Sequence, residues 1–215
     1  MEEFNAYYHG SKVVFVANRG DHSFIGSLTI GNNQIQWIDP SFARDISPRW
    51  SPDGKSVAFI RTMALGGQAD SLTQRKKVFW SIRTAPITGE NSKLVWEAPK
   101  TNRGSLPTTH GSTNLFWAMP NVITFTSYHD GWPHLYAIAA SGGKPVLLTP
   151  GNYMVEHVQI SADKHWLTFS ANTGGLVAGS TYFVKTIANA AAFTVSNTQY
   201  GNPTAITTGT TAANA

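Results

Sequence analysis

Residues 49–61 read RWSPDGKSVAFIR: a tryptophan, a tight polar turn and an apolar strand in succession. Pro52 presets the backbone angle for a turn, Asp53 accepts bonds from nearby amides, and Gly54 supplies the left-handed conformation that hairpin turns prefer. A strand is therefore predicted after the turn. Val57 and Phe59 fall on one face and Ala58 and Ile60 on the other, so both faces are apolar and the strand is expected to lie between two layers.

The same pattern recurs around Val13 and Phe15, around Ile123 and Phe125, and around Leu167 and Phe169. Anchored on the phenylalanines, the steps are 44, 66 and 44 residues. A step of 44 matches the roughly 40–45 residues of one four-stranded propeller blade. The longer step holds two polar, turn-rich stretches, 63–77 and 99–112, which read as loop insertions. Each copy continues with a polar turn, an aromatic-rich strand and a short aliphatic one: VFWSIRTAP then KLVWEA, HLYAIAA then KPVLLT, and TYFVKTI then a weaker FTV or AIT segment. Residues 87–92 and 140–143 have hairpin-turn chemistry. No stretch carries a sustained helical period with caps. The expected fold is all-β, a partial β-propeller of about four four-stranded blades over residues 1–185.

Charged residues make up only 13% of the 215, which suits strands buried on both faces. The net charge is +4, yet the one dense basic run, Arg75, Lys76 and Lys77, falls in a predicted loop and reads as solvated, so no nucleic-acid partner is expected. With no cysteine, disulfides, thiolate metal sites and thiol catalysis are excluded. The start shows no signal peptide, no apolar run is long enough to span a membrane as a helix, and the compartment stays open. From Thr186 to Ala215 no residue is charged, and alanine, threonine and asparagine supply 20 of the 30. Residues 186–215 are expected to form a degenerate blade strand and a low-complexity tail.

A serine hydrolase needs its nucleophile on a strand-to-helix elbow, G-x-S-x-G. The nearest approach, AASGG at 139–143, sits between two predicted strands, so Ser141 reads as a turn residue. SYHDGWPHLY, 127–136, gathers His129, Asp130 and His134. That grouping could suggest a metal site or an oriented base, but Asp130 and Gly131 also suit a hairpin turn from which His134 starts a strand, and the sequence names no third ligand. His110 and His157 lie beside loops and read the same way. The tryptophans at 50, 80, 96, 117, 132 and 166 fall at strand or turn positions and are expected to pack. No catalytic residue, metal ligand or cofactor site is expected, and the substrate-facing residues are not legible.

RWSPDGKSVAFIR resembles the blade motif of propellers in the prolyl oligopeptidase and dipeptidyl peptidase IV family of serine peptidases, and of TolB-type propellers. VANRGDHSFIG (16–26), PTTHGSTNLFW (107–117), SYHDGWPHLY (127–136), GGKPVLLTPGNYMVEHV (142–158) and SANTG (170–174) resemble the dipeptidyl peptidase IV-like members in particular. The resemblance covers roughly residues 12–175 and implies a noncatalytic propeller that caps an α/β-hydrolase domain following it in the chain. That hydrolase domain is missing here, so the chain is expected to be inactive alone although the parent family is a serine-type peptidase. Dipeptidyl-type members hold the substrate's amino terminus with a propeller glutamate pair; Glu2 and Glu3 are adjacent but match no motif position and are not given that role. Whether the parent is a dipeptidyl peptidase, an oligopeptidase or an acylaminoacyl peptidase is left open, and so is its location, with the bacterial periplasm and secretion among the alternatives.

Family propellers have about seven or eight blades. Half a ring exposes two unpaired blade faces, and self-association through open blade edges is expected. The function expected from the resemblance is gating or binding of peptide substrates for the absent hydrolase domain. The rival readings are a TolB-like protein-binding propeller and a nonfunctional truncated remnant.

Overall fold

The structure, a computed structural model, describes residues 6–32, 34–64, 77–89, 91–164, 166–172, 181–189, 192–196 and 204–207. It divides into two compact units, Met1–Ser105 and Leu106–Ala215.

In the first unit, β1 (Ala6–His9), β2 (Lys12–Arg19), β3 (His22–Thr29) and β4 (Ile35–Ile38) form an antiparallel meander in chain order. A second meander follows from β5 (Arg44–Trp50), β6 (Ser56–Thr62), β7 (Trp80–Pro86) and β8 (Lys93–Glu97). One parallel pair, Ser23 with Arg44, joins the two into a single sheet. The second unit carries a four-stranded sheet of β9 (Phe116–Met119), β10 (Val122–Ser127), β11 (His134–Ala139) and β12 (Val146–Leu147). Beside it in sequence is a five-stranded sheet of β13 (Met154–Ile160), β14 (Leu167–Asn172), β15 (Thr181–Asn189), β16 (Ala192–Ser196) and β17 (Thr204–Thr207). The all-β, propeller-like architecture expected from the repeat is present. The boundary expected at residue 185 falls inside β15, and strand pairing continues to Thr207.

Each anchoring phenylalanine lies on the second strand, in chain order, of its antiparallel meander: Phe15 on β2, Phe59 on β6, Phe125 on β10 and Phe169 on β14. On β6, Val57, Ala58, Phe59 and Ile60 are all fully buried, as a strand between two layers requires. Phe15 departs from this phase and is only half-buried, while Val14 takes the core position. Its cross-strand partner explains the change: Phe15 pairs with Gly26 and its ring lies over that residue, where a β-carbon would stand 2.6 Å from Cζ.

Val14, Ile25 and Ile38 of the first meander pack with Trp50, Val57, Phe59 and Ala85 of the second. Burying each of the larger side chains contributes about 1.5–3 kcal/mol. Trp50 adds a polar tie, its indole N–H donating to the Tyr7 carbonyl at 2.9 Å. In the second unit, Val122, Leu135, Ala137 and Leu148 pack with Tyr153, Val155, Val158, Leu167 and Phe169.

The turn that opens β6 is held by its serine. Ser51 Oγ donates to Asp53 Oδ1 at 2.6 Å and accepts from Ser56 N at 2.9 Å, with Gly54 at φ +66°. The same turn recurs before β14 with a different sequence: Ser161 Oγ donates to Asp163 and accepts from Trp166 N, with Lys164 at φ +58° where Gly54 stands in the first copy. Four residues ahead of each serine the preceding strand bulges on a left-handed residue, Ser47 (φ +53°) in β5 and His157 (φ +51°) in β13.

Of the two expected insertions, residues 65–76 of the first, with Arg75 and Lys76, lie outside the described residues. The second straddles the division between the units. In the first unit it turns at 99–105, where Gly104 O accepts the Trp80 indole at 3.1 Å and Ser105 Oγ accepts Val78 N at 3.0 Å.

Candidate functional site

Residues 127–136 form the β10–β11 hairpin, with Ser127 pairing with His134 across it. Gly131 sits at φ +116° and donates to the Tyr128 carbonyl at 2.7 Å, so the Asp-Gly turn is present. Asp130 Oδ2 lies 2.6 Å from His134 Nδ1, and His134 Nε2 lies 2.9 Å from the Gly151 carbonyl. A carbonyl only accepts, so Nε2 carries a proton and the other nitrogen faces the carboxylate. Ser127 Oγ lies 2.9 Å from His129 Nδ1, and the His129 ring packs on Tyr136 at 4.4 Å.

Burial pushes the Asp130 carboxyl up, but the hydrogen bond and charge of His134 outweigh it and hold Asp130 below the usual carboxylate range. Burial also pushes His129 down, against the opposing pull of Asp130. Tyr136 is pushed well above the ordinary phenol value by burial first and the Asp130 charge second. Its buried hydroxyl lies near Asp130 yet meets no partner in normal hydrogen-bond geometry.

Serine, histidine and aspartate are thus neighbours here without forming a nucleophilic relay. Ser127 is fully buried, and the carboxylate hydrogen-bonds His134 rather than the histidine that touches the serine. The arrangement pins the hairpin to the 149–155 segment, with further bonds from Val155 N to the Pro133 carbonyl and from Leu135 N to Thr149 Oγ1. Ser141 lies in the β11–β12 turn. Glu2 and Glu3 lie outside the described residues. Among the described residues no group of three or more His, Cys, Asp and Glu is placed to hold a metal ion. His110 and His157, far apart in sequence, stack with ring centroids 4.1 Å apart.

The first unit contains an ionic network that the sequence reading did not single out. Arg61, on β6, forks onto the fully buried Asp45 with Nε–Oδ1 at 2.7 Å and Nη2–Oδ2 at 2.8 Å. It also donates to Asp39, reaching Oδ2 at 3.0 Å and the carbonyl at 2.7 Å. Ser92 donates to Asp39 and accepts from Arg83 Nε. Asp39 directly follows β4, so the network clips the first meander to the second. The two aspartates answer differently to the shared guanidinium. Asp45, the more deeply buried, is pushed up by burial despite Arg61, whereas at Asp39 the Ser92 hydroxyl and Arg61 outweigh burial and hold it low.

A groove of about 690 Å³ opens at one end of this unit, between the β3–β4 connection and the β7–β8 turn. Asn32, Gln34, Gln36 and Thr88 give it a neutral polar lining, Leu28, Ile35 and Ile87 an apolar one, and Lys12 stands at its rim. Strand β4 pairs with β3 and has no second strand neighbour among the described residues; residues 34–36 line the groove, while the Trp37 carbonyl accepts the Gln36 side chain and lies against Gly89 of the β7–β8 turn. Ile35 is 47% exposed on that strand.

With four-stranded meanders, serine-locked turns and this hairpin in place, the comparisons with known proteins converge. The family model of the dipeptidyl peptidase IV (DPP IV) N-terminal region matches residues 72–213. The chain belongs to that family. Its match spans about two thirds of the sequence and includes the hairpin at 127–136 and all the strands of the second unit's two sheets. No curated protein matches. Among solved structures, a TolB candidate from Agrobacterium tumefaciens aligns at 14% identity and a TM-score of 0.54, over 91% of this chain and 61% of that one. TolB from Acinetobacter baumannii aligns at 16% and 0.52, over 92% and 41%. An oligogalacturonate lyase in complex with manganese aligns at 11% and 0.59, over 85% and 50%. At these identities the likeness is one of fold. This DPP IV N-terminal family chain spans between 41% and 61% of those proteins' lengths.

Proposed function

We propose that this chain is a noncatalytic binding module, a run of four propeller blades that holds an extended segment of a protein or peptide rather than cleaving it. The observation that carries the reading is the stretch 34–36 of β4, without a second strand partner among the described residues, beside a groove lined by amide and apolar side chains. An extended peptide adding to that edge would satisfy its backbone groups there, while the groove accepts alternate side chains. Ser127, the serine that touches a histidine in the hairpin, is buried, so that grouping offers no exposed nucleophile.

The test is selection of displayed peptides on the purified chain, followed by affinity measurement of the selected peptide on the wild type and on Ile35→Lys, which places a charge at the edge. Saturable binding weakened by the substitution is expected. A selected peptide that binds both proteins equally would place recognition elsewhere, and a peptide recovered cleaved would refute the noncatalytic reading.

The family match favours a second reading, in which the same module narrows access to a hydrolase domain of a longer parent protein. Sequencing the DNA on both sides of this frame separates the two. Further blades followed by a G-x-S-x-G hydrolase frame would support gating; a genuine stop codon with no hydrolase nearby would count against it.

A further inference from the structure

We propose that His110 and His157 form a two-imidazole site for a borderline divalent transition metal such as Zn²⁺. The two rings come from separate elements of the second unit and meet at 4.1 Å between centroids with their planes 29° apart. Both residues are exposed, and among the described residues neither ring makes a hydrogen bond or an ion pair. The hairpin histidines differ in this respect, since both His134 nitrogens are already engaged.

The backbone holds each ring in position. His157 occupies the left-handed bulge of β13, flanked by the buried Val155 and Val158, which anchor the strand on either side. At the matching bulge of β5 the residue is Ser47, so the fold provides the backbone shape and this sheet alone of the two places an imidazole on it. His110 sits in a loop closed by Ser112 N donating to the Thr109 carbonyl at 2.8 Å and by Asn114 Nδ2 donating to the His110 carbonyl at 3.2 Å.

The chemistry of the pair selects the metal. Neutral imidazole nitrogens bind Zn²⁺ at about 2.0–2.1 Å, so two ligands of one ion stand about 3–3.4 Å apart, and the rings must leave their 4.1 Å stack for the nitrogens to converge on it. Imidazole suits zinc, copper and nickel, whereas calcium and magnesium take oxygen ligands. No third His, Asp or Glu among the described residues joins the pair, so water or a ligand from another molecule completes the coordination shell.

The experiment is titration of the tag-free full chain with Zn²⁺, followed by calorimetry and by the histidine ring resonances, on the wild type, His110→Gln and His157→Asn. Asparagine tolerates the left-handed backbone at 157, and thermal unfolding of each variant establishes that it is folded. Saturable binding of one ion per chain, weakened about tenfold or more by either substitution, is the expected result. Absence of saturable binding in the wild type overturns the proposal, and so does binding that survives either substitution unchanged.

Discussion

Replacing Arg61 with alanine tests the ionic network that joins the first two meanders. Arg61 makes two bonds to Asp45, which is fully buried, and two more to Asp39. Removing the guanidinium leaves an uncompensated carboxylate in the interior, a change that costs about 3–5 kcal/mol. That is a large part of the roughly 5–15 kcal/mol that holds a typical domain together. Trp50 and Trp80, both buried in this unit, report the loss by fluorescence in urea. The sign of the pH dependence follows from the same geometry. Burial already pushes the Asp45 carboxyl up, and without Arg61 nothing of comparable strength pulls it back, so the variant recovers stability as pH falls and the carboxyl becomes neutral. The double substitution Asp45→Leu with Arg61→Met removes both charges and should restore most of the loss. A single variant within about 1 kcal/mol of wild type, or a deficit that grows on acidification, would refute the reasoning.

Lys164 occupies a left-handed position that Gly54 fills in the matching turn, so Lys164→Gly is expected to stabilise the chain by about 1 kcal/mol, read as a raised thermal midpoint. Gly54→Ala should do the reverse by about 1–3 kcal/mol, because the residue is left-handed and its new β-carbon would stand 2.4 Å from the His9 ring. Ser51→Ala removes one donated and one accepted bond of the turn and should cost about 1–2 kcal/mol in urea unfolding. Asp130 is held low by His134 in the folded chain. Its contribution is therefore present above the unfolded value of about 4 and lost as pH falls below it, and Asp130→Asn should flatten that part of the acid-unfolding curve.

The repeat was legible because its signal is local: a turn of fixed chemistry followed by an alternating apolar strand. All four phenylalanines lie on equivalent strands, even though Phe15 leaves the core to cover Gly26. The second serine turn was harder to see. SADKHW keeps the serine and the aspartate of SPDGKS but loses the proline and the glycine, and the hydrogen bonds that define the turn need only the first two. Arg61 stood at the end of the motif strand, and a cation in a strand buried on both faces demands partners. Its partners come from 16 and 22 residues earlier in the chain, a pairing that only the folded register reveals. The stacking of His110 on His157 depends on a bulge and a loop 47 residues apart and leaves no mark in the sequence spacing.

The most direct test of the noncatalytic reading is to offer the purified chain chromogenic dipeptide and acyl-peptide substrates together with a fluorophosphonate probe. No turnover and no labelled serine are predicted. Turnover that disappears with the substitution of one labelled serine would contradict the account.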